Sequence, residues 1–105
     1  MSYPDWPSNI GKTRRNFDIN GNERHFTILD EICRQQSTYP EKVLYLQKLR
    51  FEEDGRIELR LGYYIIAKKG RMEGKWVWGR AATKIPVEDF EAIIGEAIKK
   101  GWINA

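Results

Sequence analysis

Residues 23–36, ERHFTILDEICRQQ, decide the fold, because the rest of the chain can be laid out around whatever they form. Phe26, Leu29, Ile32 and Cys33 recur there at helical spacing, and Asn22 stands where a cap is needed. The spacing predicts a helix ending near Ser37. Pro40 then breaks the pattern, and two runs follow, VLYLQKLRF over 43–51 and RIELRLGYYIIA over 56–67, separated by EEDG. The second run alternates, with Ile57, Leu59, Leu61, Tyr63 and Ile65 on one side and Arg56, Glu58 and Arg60 on the other. A turn on Asp54-Gly55 joins two antiparallel strands. A three-residue loop with Gly55 in the left-handed region would set Phe51 against Ile57, Leu49 against Leu59, Tyr45 against Tyr63 and Arg50 against Glu58, giving one coherent apolar face.

Further on, a third strand is expected over 75–84. Pro86, the acids Glu88 and Asp89, and Gly101 after Lys99-Lys100 delimit a helix over 86–100 with Phe90, Ile93, Ile94, Ala97 and Ile98 as its apolar stripe. No Ser, Thr, Asp or Asn precedes Pro86, so its cap is weak. Residues 1–22 hold two prolines, two glycines and four asparagines without periodicity. They read as a mostly irregular arm, pinned by Tyr3, Trp6 and Phe17, with residues 14–19 offering an extra strand. The expected fold class is α+β: a single domain over 23–105 with a three-stranded antiparallel meander, one N-terminal and one C-terminal helix, in the order arm–α–β–β–β–α.

The net charge is +3 over 105 residues, but it is uneven. Residues 56–84 carry eight cations and two acids, +6, which leaves −3 for the remainder. Such asymmetry points to an anionic partner for the middle of the chain, or to a solubilising charge pattern. Residues 68–84, KKGRMEGKWVWGRAATK, concentrate it: six cations, one carboxylate, three glycines and two tryptophans. Small residues Val77, Gly79 and Ala81 suit contact with the C-terminal helix, beside Leu59, Leu61, Tyr63 and Ile65. The opposite face then collects Leu44, Leu46, Lys48, Arg50, Ile66 and a candidate nucleic-acid-binding set: Arg60, Tyr64, Lys68, Lys69, Arg71, Lys75, Trp76, Trp78, Arg80 and Lys84. Bases would stack on Trp78, Tyr64 or Trp76 while the cations track phosphates. The competing expectation is that helix 23–36 covers the apolar half and the tryptophans are core. Gly70 and Gly74 could also turn the basic loop into a phosphate cradle.

From residue 56 onward the layout resembles the single-stranded-DNA-binding transcriptional-coactivator (whirly-like) family. GKWVWGR in the last strand and IPVEDFEAII at the helix start carry that resemblance, and Ile85 departs from it where a polar cap is usual. It implies antiparallel strands with an aromatic, basic face and a C-terminal helix. LGYYIIAKKGRMEGKWVWG also resembles a recurring segment of small uncharacterised prokaryotic domains.

No catalytic constellation is expected. Glu73-Gly74-Lys75 matches half of a metal-dependent nuclease signature, but Asp54 lies about 40 Å away at the other end of a twelve-residue strand. His25, the single histidine, is expected at the start of the first helix beside acids, and Cys33 on its apolar stripe as a buried structural thiol. No zinc, calcium or P-loop spacing appears, so no cofactor and no metal are expected. One cysteine and no membrane-length apolar run or signal-peptide pattern fit a cytoplasmic location. The expected function is a small non-enzymatic nucleic-acid-binding (DNA-binding or RNA-binding) protein, favouring single strands and weakly sequence-specific. The alternative is a protein–protein interaction module or homodimer subunit that uses an exposed apolar part of the sheet.

Overall fold

The segment 23–36 is a strand. A computed structural model describes residues 3–104 and assigns β1 to Thr13–Phe17, β2 to Glu23–Gln36, β3 to Tyr39–Phe51, β4 to Ile57–Ile66, β5 to Trp76–Trp78 and α1 to Val87–Lys99. The five strands form one antiparallel sheet in sequence order, curled into a half-barrel. The expected three-stranded meander with two helices is therefore overturned, and the arm contributes β1 as an edge strand.

The reason lies at Leu29. Phe26 and Ile28 pair with Phe51 and Leu49, but the register slips between Ile28 and Asp30, so that Leu29 is an extra residue. Such a bulge breaks the two-residue alternation and hands the following side chains to opposite faces. Ile32 then turns to the helix side, while Cys33 joins Val43, Tyr45, Ile66 and Trp76 on the other. An alternation interrupted once looks helical when only its large apolar residues are counted. Pro40 sits near the start of β3, where a missing N–H does no harm, and its carbonyl accepts from Gln35 Nε2 at 2.8 Å.

The β3–β4 register is also corrected. The Phe51 N–H reaches Arg56 O at 2.9 Å and Gly55 takes φ 72°, so the loop is four residues, Glu52–Gly55. Pairs are Arg50↔Ile57, Leu46↔Leu61, Tyr45↔Gly62 and Leu44↔Tyr63, one residue from the expected set. The slip swaps the faces of β3. Leu44 and Leu46 lie under the helix, and Tyr45 and Leu49 lie on the opposite face.

α1 packs on β2 and β3 rather than over β5. Ile93 and Ala97 close a core with Ile32, Leu44 and Leu46, and Tyr63, Ile85, Trp102 and Ile103 pack around it. Its buried line is Asp89, Ile93 and Ala97, while Phe90 and Ile98, expected in the stripe, are exposed. Asp89 is wholly buried. Its Oδ1 accepts from Arg34 Nε at 2.7 Å, and its Oδ2 from the Ser37 N–H at 2.9 Å and hydroxyl at 3.0 Å. Burial alone would raise this carboxyl, but the Ser37 N–H and the Arg34 guanidinium outweigh it and hold its pKa below the usual carboxylate value. The Pro86 cap has no side-chain hydrogen bond, as its sequence implies.

The third strand is only Trp76–Trp78 instead of 75–84. After the Gly79 N–H bonds Tyr63 O at 2.8 Å, the chain leaves the sheet edge for the helix side. Two glycines make that edge possible. A Cβ on Gly79 would stand 2.0 Å from the Tyr63 ring, and one on Gly62 would stand 2.2 Å from the Trp78 ring.

Candidate nucleic-acid interface

On the face away from α1, the arm is fastened across the sheet by three side chains. Trp76 Nε1 donates to Pro4 O at 2.8 Å, Tyr45 Oη to Pro7 O at 2.5 Å, and Tyr64 Oη to Asn9 Oδ1 at 3.2 Å. Buried Asn9 also gives its N–H and Nδ2 to the Glu31 carboxylate, at 2.9 and 3.1 Å. Trp76 is 7% exposed beneath this arm, with Tyr3 tilted against it at 6.1 Å. The arm therefore takes the covering role expected of helix 23–36, and Trp76 is core.

Beyond the arm lies a cleft of about 400 Å³. Its rim holds Arg14, Arg15 and Arg80, and its floor and walls are Phe26, Ile28, Gln47, Arg60, Tyr64, Trp78 and Asn9. Arg60 stands at the centre. Its guanidinium carbon is 5.0 Å from the Phe26 ring and 5.0 Å from the Trp78 ring, a cation held between two π faces. Its Nε donates to Gln47 Oε1 at 2.8 Å, and Gln47 Nε2 donates to Glu31 Oε2 at 2.6 Å. Gln47 is wholly buried, so its two partners fix the amide and the amide fixes the arginine. Among the described residues no carboxylate pairs with Arg14, Arg60 or Arg80. Burial, with the Arg14 charge adding to it, lowers the Arg60 pKa from its usual value, yet a guanidinium stays charged. A fixed cation without an acid partner, its two terminal nitrogens free of hydrogen bonds among the described residues, is a receptor for an anion.

Trp78 forms the wall. Its ring meets Tyr64 at 5.1 Å and Tyr45 at 6.2 Å, both edge-on, and fills the space above Gly62. The sheet thus brings together Arg60, Tyr64, Trp78 and Arg80 of the expected set. It does not bring in Lys68, Lys69, Arg71 or Lys75, which are exposed in the β4–β5 loop; Lys68 pairs with Glu41. That loop spends its Gly74 N–H on Ala67 O at 2.9 Å, which takes one of the two N–H groups expected to form a phosphate cradle. Lys84 lines a separate cavity of about 500 Å³ on the helix side with Lys42 and Tyr63. Arg14, Arg15, Phe26, Gln47 and Asn9 were not expected in the site. The adjacent pair Arg14-Arg15 inside a strand-forming stretch was their one visible signal.

His25 lies in β2, not at a helix start. Glu23 Oε2 is 3.4 Å from its Nε2, Glu53 Oε2 is 3.7 Å from its Nδ1, and its own N–H donates to the Glu53 carboxylate at 3.2 Å. His25, Glu52 and Glu53 offer ligand atoms within 4.8 Å of one another, where β2 meets the exposed β3–β4 loop. Asp54 and Glu73 lie in loops at opposite ends of β4. Cys33 is half-buried, and burial first, then the Glu31 charge, push its thiol up to about 11. Among the described residues no helix is long and apolar enough to cross a membrane.

Compared with family models, curated proteins and solved structures, the chain matches none.

Proposed function

We propose that this protein binds single-stranded nucleic acid without strong sequence preference, seating one phosphate on Arg60 and a neighbouring base against Trp78. The observation that carries this reading is the Arg60 guanidinium, held between Phe26 and Trp78, fixed by Gln47, and free of any carboxylate partner among the described residues. The cleft, about 400 Å³, has the scale of a single nucleotide. Arg14 and Arg80 on its rim, and Arg15 where it exchanges its Glu23 partner at 3.2 Å for phosphate, would follow the flanking phosphates, and stacking on Trp78 would add roughly 1–3 kcal/mol per base. Base-edge hydrogen bonding has few fixed partners here, which suits sequence tolerance. No chemical step is assigned, because the cleft holds no general base or nucleophile poised against Arg60.

The test is a titration with a mixed-sequence single-stranded oligonucleotide at rising salt. Three or four phosphate contacts predict a slope of log affinity against log salt of about −2 to −3. A duplex should bind more weakly, since its bases are stacked away. Affinity independent of salt, or equal for single strand and duplex, would overturn the reading.

A further inference from the structure

Taking Arg60 as the anion site of the proposed function, we propose that the N-terminal arm switches it: docked, its Asn9 holds Glu31 away from Arg60; released, it lets Glu31 neutralise that arginine. One unbroken series of hydrogen bonds joins the arm to the site. Asn9 gives its N–H and Nδ2 to the Glu31 carboxylate at 2.9 and 3.1 Å, and Gln47 Nε2 donates to Glu31 Oε2 at 2.6 Å. Arg60 Nε then donates to Gln47 Oε1 at 2.8 Å. Glu31 pairs with Gln47 across β2 and β3, and Gln47 with Arg60 across β3 and β4. Carboxylate and guanidinium therefore share a face with one amide between them. Two strand spacings, about 10 Å at Cα, lie within the joint reach of a glutamate and an arginine.

Three donors keep the two charges apart, and two of them belong to Asn9. A half-buried carboxylate satisfied in this way has no need of the guanidinium; stripped of the Asn9 donors, it turns to the free terminal nitrogens of Arg60. The attraction is already felt, for burial lowers the Arg60 pKa and the Glu31 charge is among those that oppose it. The arm is also built to let go. Among the described residues, 3–8 make no main-chain to main-chain hydrogen bond. They are fastened by Trp76 Nε1 on Pro4 O and Tyr45 Oη on Pro7 O, and beyond them by Asn9. A segment held at so few points belongs to the least stable part of a fold. Asn9 acts on the anion through Glu31 and is a positioning residue. Anion binding and docking of the arm then strengthen each other by the same factor.

The test uses the full chain with Asn9→Leu, which keeps the volume and removes the amide. A crystal structure of this variant without ligand should place the Glu31 carboxylate within about 4 Å of the Arg60 guanidinium. Its affinity for a mixed-sequence single-stranded oligonucleotide should fall at least about tenfold. Adding Glu31→Gln removes the competing charge and should bring affinity back to within about threefold of the wild type. A second measurement needs no variant to fold. In the wild type, saturating oligonucleotide should slow hydrogen exchange of the Trp76 indole N–H, which is covered at Pro4 O, at least about fivefold. Glu31 left in place in the variant, a loss that Glu31→Gln does not restore, or indole exchange unchanged by bound oligonucleotide would each overturn the proposal. A wild type that binds no oligonucleotide, with Glu31 on Arg60 in the variant structure, would overturn the nucleic-acid reading and leave the arm contact standing.

Discussion

Gln47 holds Arg60 in place: the amide Oε1 accepts from the arginine Nε at 2.8 Å while its Nε2 is tied to Glu31. A wholly buried glutamine is costly unless both ends are satisfied, and here one end of the bond is the group that faces the cleft. Gln47→Met keeps the volume and removes both bonds. It should lower stability by about 1–3 kcal/mol, measured by urea unfolding. At conditions where the variant stays folded, oligonucleotide affinity should fall several-fold because Arg60 is no longer fixed. Loss of stability with affinity unchanged would separate the glutamine from the site.

Gly62→Ala tests the wall. The added methyl must stand where the Trp78 ring now lies, 2.2 Å from it, so the indole is displaced. The expected cost is about 1–3 kcal/mol, with a red shift of tryptophan emission as Trp78 moves towards water. An unchanged emission spectrum would show that Trp78 does not rest on Gly62.

Asp89 ties α1 to the turn after β2. Its folded pKa is depressed, so its contribution to stability is present above the ordinary carboxylate pKa and is lost as pH falls through the lower folded value. Asp89→Asn should cost about 3 kcal/mol near neutrality by leaving Arg34 and Ser37 poorly matched. The gap between wild type and variant should close in acid. A gap that is the same at pH 7 and pH 2 would contradict this role.

Cys33 should be slow to react. With its pKa near 11, little thiolate is present at pH 8, and alkylation should run at least about tenfold slower than for free cysteine until the protein is unfolded. Fast modification of the native protein would show that the pocket around it opens.

Much of the C-terminal half was legible in the residues. The alternation of β4, the left-handed Gly55 and the bounds of α1 follow from local spacing and turn chemistry, and Trp76, Trp78, Tyr64 and Arg60 do share a face. What escaped depends on single extra residues. One bulge residue at Leu29 made a strand look helical, and one more residue in the β3–β4 loop swapped the faces of β3. The basic loop drew attention through composition alone, which does not say where a loop points. The centre of the cleft could not be found that way either: Gln47 and Asn9 matter through hydrogen bonds between residues far apart in sequence.

The measurement closest to the central claim is the quenching of tryptophan fluorescence by a mixed single-stranded oligonucleotide, compared for wild type, Arg60→Met and Lys69→Ala. Arg60→Met should weaken binding at least about tenfold at moderate salt, the loss expected for a charge-assisted contact, whereas Lys69→Ala, away from the cleft, should change affinity less than about twofold. Equal small losses from both variants, or a larger loss from Lys69→Ala, would contradict the assignment of the anion site to Arg60.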